Sequence, residues 1–239
     1  MITNSPLQNG GGVLNLFHDS QDDMKKAINW LTAVLFLALP ALATLVIVHI
    51  IYTLFGHFYN EKETLLYFIV SQLSVLATVF AFRNIQSMAF MNLPKLRLRP
   101  TMISIALGLA VWAMAAILYT FAYPGAHPRI RNNYALCLSV MFFLVSPIVE
   151  EMFFRGWMLC YMESKSFSKP TIILTISTMF YLYHWTPVIP FYSCLDTFAL
   201  SVLTCCMFFK TRDIRYCILM HFVLNFMNSL IAFIPYLIS

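Results

Sequence analysis

The sequence predicts an all-α fold, a polytopic bundle of transmembrane helices, and three observations lead to this prediction. Of the 239 residues, 60% are hydrophobic and only 10% are charged, whereas soluble domains average about 25% charged residues. The mean hydropathy is +0.76. The apolar stretches also lack the alternation of polar and apolar residues that a transmembrane barrel requires. Because only helices and closed barrels cross a bilayer, the chain is expected to cross it as helices.

About seven stretches approach or exceed the roughly 20 helical residues that cross a bilayer. The first and fourth exceed that length and are expected to tilt or kink, and the fifth is short. Residues 1–23 are polar and form the predicted N-terminal tail, ahead of one membrane domain at 24–239. The predicted spans are Ala27–Phe55, Thr64–Phe82, Thr101–Tyr123, Tyr134–Met162, Pro170–Thr186, Pro190–Phe209 and Ile214–Leu237.

The distribution of Lys and Arg in the connections predicts the orientation, since cytoplasmic loops carry an excess of both. Eleven lie on the side of the N-terminus and three on the other side. The N-terminus is therefore predicted to be cytoplasmic. The net charge of +5 is attributed to the basic loops that set the membrane topology and attract anionic lipid, so no nucleic-acid partner is expected. The loop Asn92–Pro100 alternates Leu with Lys or Arg and is either an ordinary cytoplasmic loop or an interfacial segment that binds headgroups.

The fourth predicted span contains three ionisable residues within six positions: Glu150, Glu151 and Arg155. Charges at bilayer depth are costly and are usually paired, exposed to a cavity or functional. On a helix, Glu151 and Arg155 share a face, whereas Glu150 lies about 100° away. The spacing therefore pairs Glu151 with Arg155 and leaves Glu150 without this partner. An unpaired carboxylate suits general acid or base catalysis, and the alternative is a structural network that links helices.

Two later spans contribute further polar residues. His184 lies near the end of the fifth span, one turn after Phe180, and His221 and Asn225 share one face of the seventh. A carboxylate, two imidazoles and an amide can together activate water and stabilise an oxyanion. If the helices bring Glu150, His184, His221 and Asn225 together, they form a candidate catalytic site.

These motifs, Glu-Glu-x-x-x-Arg, Phe-x-x-x-His and His-x-x-x-Asn in this order, resemble those of the CAAX-processing and bacteriocin-processing (CPBP, or Abi) intramembrane endopeptidases. The resemblance covers roughly 146–226, and the first three spans are generic by sequence. It implies that Glu150 and His184 activate a water molecule for peptide hydrolysis. It further implies that His221 and Asn225 bind the oxyanion. Supporting roles fall to Glu151, Arg155 and Phe180.

The resemblance also bears on cofactors and partners. No cofactor is predicted, because the HExxH pair of helical zinc sites is absent. The family has also been described as metal-dependent, and in that case Glu150, His184 and His221 would be the ligands of a divalent metal such as zinc. The expected partners are membrane lipid and a membrane-anchored protein or peptide substrate, with a prenylated CAAX protein as one candidate. In a bacterial host the protein would be a multi-pass protein of the inner membrane.

Two other functional classes remain open from the sequence. One is a non-catalytic immunity, scaffold or sensor protein with the same fold. The other is an ion-coupled transporter, against which the absence of repeated halves argues. Asp196, near the start of the sixth span, is interpreted as structural, either lining the cavity mouth or bonding a neighbouring helix.

Overall fold

The computed structural model describes residues 61–81, 95–122, 133–184 and 195–238, together with single residues between 24 and 35. Every regular element in these ranges is a helix. We number the α-helices in chain order, with a π-helical segment (Met152–Leu159) joining α3 to α4. They are α1 (Glu61–Ala81), α2 (Leu98–Ala122), α3 (Asn133–Glu151), α4 (Cys160–Ser164), α5 (Lys169–His184), α6 (Leu195–Thr211) and α7 (Ile214–Ile238).

The predicted all-α class is confirmed, and the helix limits fall close to six of the predicted spans. By length and composition, three helices within the described ranges can cross a membrane: Leu98–Phe121, Leu136–Ser164 and Ile214–Ile231. The number of seven spans and the cytoplasmic N-terminus stay predictions. The predicted tail at 1–23 lies outside the described residues, as does most of the first predicted span.

Helix α7 packs against α2, α3 and α6, and α5 packs against α6. Gly108 on α2 allows a close approach to α7. A Cβ atom built there would lie 2.6 Å from the carbonyl oxygen of Met220 and 2.9 Å from the Cβ of Val223, both on α7. Small residues of this kind let transmembrane helices pack backbone to backbone. Because Met220 directly precedes His221, α2 contributes to the position of that histidine.

Two helices of the motif-bearing region start at side-chain caps. The Ser168 hydroxyl accepts a hydrogen bond from the backbone N–H of Thr171 at 3.4 Å, at the start of α5. The Asp213 carboxylate accepts one from the backbone N–H of Arg215 at 3.0 Å, at the start of α7. Such caps satisfy N–H groups that have no partner within the helix. They fix the residues at which α5 and α7 begin, and hence the positions of His184 and His221 along the helix axes.

The charged run continues into a π-helix, although the sequence predicted an ordinary α-helix there. The π-helical segment Met152–Leu159 contains Arg155 and Gly156. Its side chains are nearly all buried, as in the fully buried Trp157 and Met158. Short π-helical stretches inside α-helices are rare and occur frequently at functional sites. The segment turns Arg155 into the bundle while Glu150 and Glu151 stay on the regular helix before it.

Candidate active site

Glu150 is buried at the end of α3 with a different environment for each carboxylate oxygen. Its Oε1 accepts a hydrogen bond from the hydroxyl of Ser146, one turn earlier on the same helix. Its Oε2 is buried and has no hydrogen-bond partner among the described residues. The nearest basic atoms to this oxygen are His184 Nε2 at 3.4 Å and His221 Nε2 at 3.9 Å. One oxygen of Glu150 is therefore held, and the other faces two imidazoles.

Glu151 and Arg155 form the ion pair that the spacing predicted. Arg155 Nη1 donates to Glu151 Oε1 at 3.1 Å, and both side chains are completely buried. Arg155 Nη2 donates to the hydroxyl of Ser201 at 2.7 Å and to its carbonyl at 3.1 Å. The guanidinium thus joins the π-helical segment to α6. A buried arginine needs such partners because an uncompensated charge in an apolar interior is very costly.

The imidazole of His184 is oriented by its own helix. Its Nδ1 lies 2.8 Å from the carbonyl oxygen of Phe180, one turn earlier on α5. A carbonyl oxygen only accepts hydrogen bonds, so Nδ1 carries the proton and donates. In the neutral ring, Nε2 then presents a lone pair to Glu150. His184 is about one-fifth exposed, so the site reaches the surface of the bundle on this side.

His221 on α7 is held from the opposite side. Its Nδ1 lies 3.1 Å from Glu151 Oε1, the oxygen that also accepts from Arg155. The carboxylate paired with Arg155 is an acceptor, so His221 Nδ1 donates, and Nε2 faces Glu150. This arrangement of a carboxylate behind a histidine fixes both the tautomer and the ring orientation.

Asn225 lies one turn after His221 on α7, and its contact is with α3. Its Nδ2 donates to the carbonyl oxygen of Phe142 at 3.1 Å. Phe142 is two turns before Glu150 in α3, so this hydrogen bond joins α7 to the backbone of α3. The structure brings together Glu150, His184 and His221. Asn225 is buried beside them and bonded to the backbone of α3.

Phe180 forms the wall that these groups share. Its ring lies 5.0 Å from the Arg155 guanidinium carbon. The ring centroid is 4.4 Å from that of His184 and 5.8 Å from that of His221. Cations over aromatic faces are attracted, more strongly where water is excluded. Phe180 therefore contacts the guanidinium and both imidazoles, and its supporting role at the site stays a prediction.

The charges in this buried cluster determine how many protons it holds. Glu150 and Glu151 bring two negative charges and Arg155 brings one positive charge. A buried net charge is costly, so a neutral site is favoured. One further proton would make the cluster neutral and leave Glu150 Oε2 as an ionised carboxylate oxygen that faces the two imidazoles.

The resemblance made Glu150, His184 and His221 the ligands of a zinc ion if the protein held one. No group of three His, Cys, Asp or Glu side chains within the described ranges is arranged to hold a metal. Tetrahedral zinc with ligands at about 2.0–2.1 Å separates them by roughly 3.4 Å, and Glu150 Oε2 to His221 Nε2 is 3.9 Å. We therefore derive no step through a metal.

Two residues of the site carry no motif and were not predicted as members. Ser146 contacts Glu150 within one helix, and its spacing of four residues is a signal that the sequence offered. Ser201 contacts Arg155 from a different helix, 46 positions away, so only the tertiary structure reveals it. Asp196 lies in the first turn of α6 with a buried, unpartnered Oδ1 among the described side chains, and its structural role stays a prediction.

Comparison with known proteins agrees with the motifs. Residues 132–227 match the family model described as type II CAAX prenyl endopeptidase, Rce1-like. The matched segment contains every residue of the three motifs, which confirms the resemblance predicted from them. Comparisons with curated proteins and with solved structures gave no match. The matched segment is similar to endopeptidases of the CAAX type, and the apolar helices indicate an integral membrane protein.

Proposed function

We propose that the protein is an intramembrane endopeptidase that hydrolyses a peptide bond of a membrane-associated protein or peptide. The observation that carries this proposal is the environment of Glu150 Oε2. This oxygen is buried, has no hydrogen-bond partner among the described residues, and lies 3.4 Å and 3.9 Å from two imidazole nitrogens. A water molecule bound there would contact a carboxylate and an imidazole together, which is the requirement for general-base activation.

The reaction would follow from this placement. Glu150 accepts a proton from the water, and the water oxygen attacks the carbonyl carbon of the scissile peptide bond. A protonated His221 donates from Nε2 to the oxyanion, and we assign Asn225 to the same oxyanion through its second amide hydrogen. Glu150 or His184 then delivers the proton to the leaving nitrogen, and the C–N bond breaks. The products are a new carboxyl terminus and a new amine.

The pair Glu151–Arg155 would act on the reaction through His221. Glu151 accepts from His221 Nδ1 and stabilises the imidazolium that donates to the oxyanion. Arg155 holds Glu151 in place and is itself held by Ser201 and Phe180. Removing one member of such a network leaves a buried charge without compensation. This explains why two ionisable residues that do not face the proposed water are buried in the same helix turn.

The family match supports a substrate with a CAAX ending. We propose a prenylated CAAX peptide or protein as the first substrate to test. The assay reconstitutes the full chain in vesicles and follows the release of residues C-terminal to the prenylated cysteine by mass spectrometry. Wild-type protein is expected to cleave this peptide, and Glu150→Gln and His184→Ala are expected to lose cleavage by at least about 10²-fold, within the usual range for a general base.

The exposed ion pair Glu163–Arg212 supplies the matched control. Its shortest N–O distance is 2.6 Å, but Arg212 is 52% exposed, and it lies outside the cluster. Glu163→Gln removes the same functional group as Glu150→Gln and should keep wild-type cleavage. Cleavage retained in both Glu150→Gln and His184→Ala would refute the proposed catalytic site. No cleavage by wild-type protein would favour the non-catalytic scaffold or sensor that the sequence left open.

A further inference from the structure

Six threonine hydroxyls and one serine hydroxyl in the described helices bond backward, whereas the hydroxyls of the buried Ser104 and Ser177 bond none of the described residues. In a helix, Ser and Thr side chains commonly donate to the carbonyl four residues earlier, which offers the nearest free acceptor lone pair. The distances range from 2.8 to 2.9 Å. The hydroxyls that do so are those of Thr32, Ser74, Thr101, Thr120, Thr175, Thr204 and Thr211.

Ser146 departs from this pattern. Four residues earlier is the carbonyl of Phe142, but the Ser146 hydroxyl donates forward instead, to Glu150 Oε1. Both residues are buried on one face of α3. The forward bond is the reason that only Oε2 of Glu150 faces the imidazoles.

The carbonyl of Phe142 is occupied by another donor. Asn225 Nδ2 on α7 donates to it at 3.1 Å. The helical bond from the backbone N–H of Ser146 is the second donor to the same oxygen. A carbonyl oxygen has two lone pairs, so these two donors saturate it. The backward bond to the carbonyl four residues earlier is therefore not open to Ser146.

We infer that Asn225 directs the Ser146 hydroxyl onto Glu150, and that Ser146 is a positioning residue for the catalytic carboxylate. Asn225 then acts on Glu150 through two hydrogen bonds and across two helices, in addition to the role that the resemblance assigned to it. This inference rests on the proposed function for its effect on rate. Its structural part does not depend on any activity.

The first experiment is a double-mutant cycle on cleavage by the full chain in vesicles. Ser146→Ala is expected to lower kcat by roughly 10-fold, in line with the loss of one hydrogen bond to a charged group, with little change in KM. Ser146→Thr keeps the hydroxyl and should restore most of the rate. Asn225→Ala should cost less in the Ser146→Ala background than in the wild type, because residues acting through one another are not additive.

The pH profile gives a readout that a merely structural role would not move. Losing the Ser146 donor makes the ionised form of Glu150 harder to maintain, so the acidic limb of kcat/KM should move to higher pH. His184, His221, Glu151 and Arg155 face or adjoin Glu150 and are unchanged in this variant. The matched control is Ser177→Ala: this serine is fully buried on α5, and its hydroxyl bonds none of the described residues.

The second experiment needs no activity. Infrared difference spectra of wild-type protein minus Glu150→Gln isolate the Glu150 carboxylate band, and its pH titration is then recorded in Ser146→Ala and in Asn225→Ala. Both substitutions are expected to move the titration to higher pH, and the double variant is expected to match Ser146→Ala alone. If wild-type protein cleaves nothing but the infrared shifts appear, the peptidase is wrong and the inference stands.

Three outcomes would overturn the inference. One is an unchanged Glu150 band in Ser146→Ala. Another is a double variant whose fold-loss of kcat equals the product of the fold-losses of the two single variants. Asn225 and Ser146 would then act independently, and Asn225 would keep only its role at the oxyanion. The third is a Ser177→Ala variant that loses as much rate as Ser146→Ala, since any buried serine would then have the same effect.

Discussion

The buried pair Glu151–Arg155 gives the sharpest prediction for stability. Replacing Arg155 by Met removes the donor to Glu151 at 3.1 Å and the bonds to Ser201 at 2.7 and 3.1 Å. Glu151 remains completely buried, with His221 as its remaining polar partner among the described residues. Removing one partner of a buried ion pair typically costs about 3–5 kcal/mol. We expect this loss for Arg155→Met, which corresponds to a change of two to almost four powers of ten in the folding equilibrium.

The assay is reversible unfolding of the full chain in detergent micelles, with Arg212→Met as the control. The Arg212–Glu163 pair is shorter, at 2.6 Å, but half-exposed. Exposed pairs contribute about 0–1 kcal/mol, so the shorter pair is expected to matter less. Adding Glu151→Gln to Arg155→Met removes the stranded charge and should recover part of the loss. The reasoning is refuted if Arg155→Met costs no more than Arg212→Met, or if Glu151→Gln deepens the loss.

Three further predictions concern the helices around the site. Gly108→Ala places a methyl group 2.6 Å from the Met220 carbonyl, so α7 must shift by several tenths of an ångström and turnover should fall by about 10- to 100-fold. Phe180→Ala should destabilise the protein by about 3–5 kcal/mol in thermal unfolding, as for other buried phenylalanines. Burial raises the pKa of Asp213, but the hydrogen bonds from Arg215 lower its pKa more, so the net pKa lies below the usual value.

The sign of the Asp213 effect follows from that depressed pKa. The carboxylate stabilises the folded state fully above the unfolded pKa of about 3.9, and the contribution is lost as the pH falls through the folded value. Asp213→Asn should therefore reduce stability at neutral pH and flatten the loss of stability below about pH 4. An equal acid dependence in both proteins would contradict this.

For Gly108, the control is Ala110→Val on the exposed side of α2, and wild-type turnover in Gly108→Ala would contradict the expected shift.

The sequence predicted the helices well because long apolar stretches leave the backbone little choice in a membrane. It also predicted the pairing of Glu151 with Arg155, which depends only on a spacing of four residues along one helix. The π-helical segment could not be predicted. A π-helix differs from an α-helix only in the carbonyl to which each backbone N–H donates, and no residue pattern in 152–159 indicates that difference. The rotation of 100° per residue that was assumed for the whole span is therefore wrong in Met152–Leu159, although the pair Glu151–Arg155 forms as predicted.

Contacts between helices were the other limit. Ser201 is a common small residue in an apolar span, and only its position against Arg155 gives it a role. The third predicted span looked as generic as the first two, yet Gly108 in this span, on α2, sets the distance to α7. Asn225 was expected to face the same space as His221, and this stays a prediction. One amide hydrogen donates to the backbone of α3, which a spacing of four residues on α7 cannot reveal.

The most direct test of the account compares the new protein termini in membranes that contain wild-type protein or Glu150→Gln at matched levels. The account predicts carboxyl termini that appear only with the wild type, that arise from membrane-associated proteins, and that vanish again with His184→Ala. Identical termini in all three membranes would contradict the claim that Glu150 activates water for peptide hydrolysis.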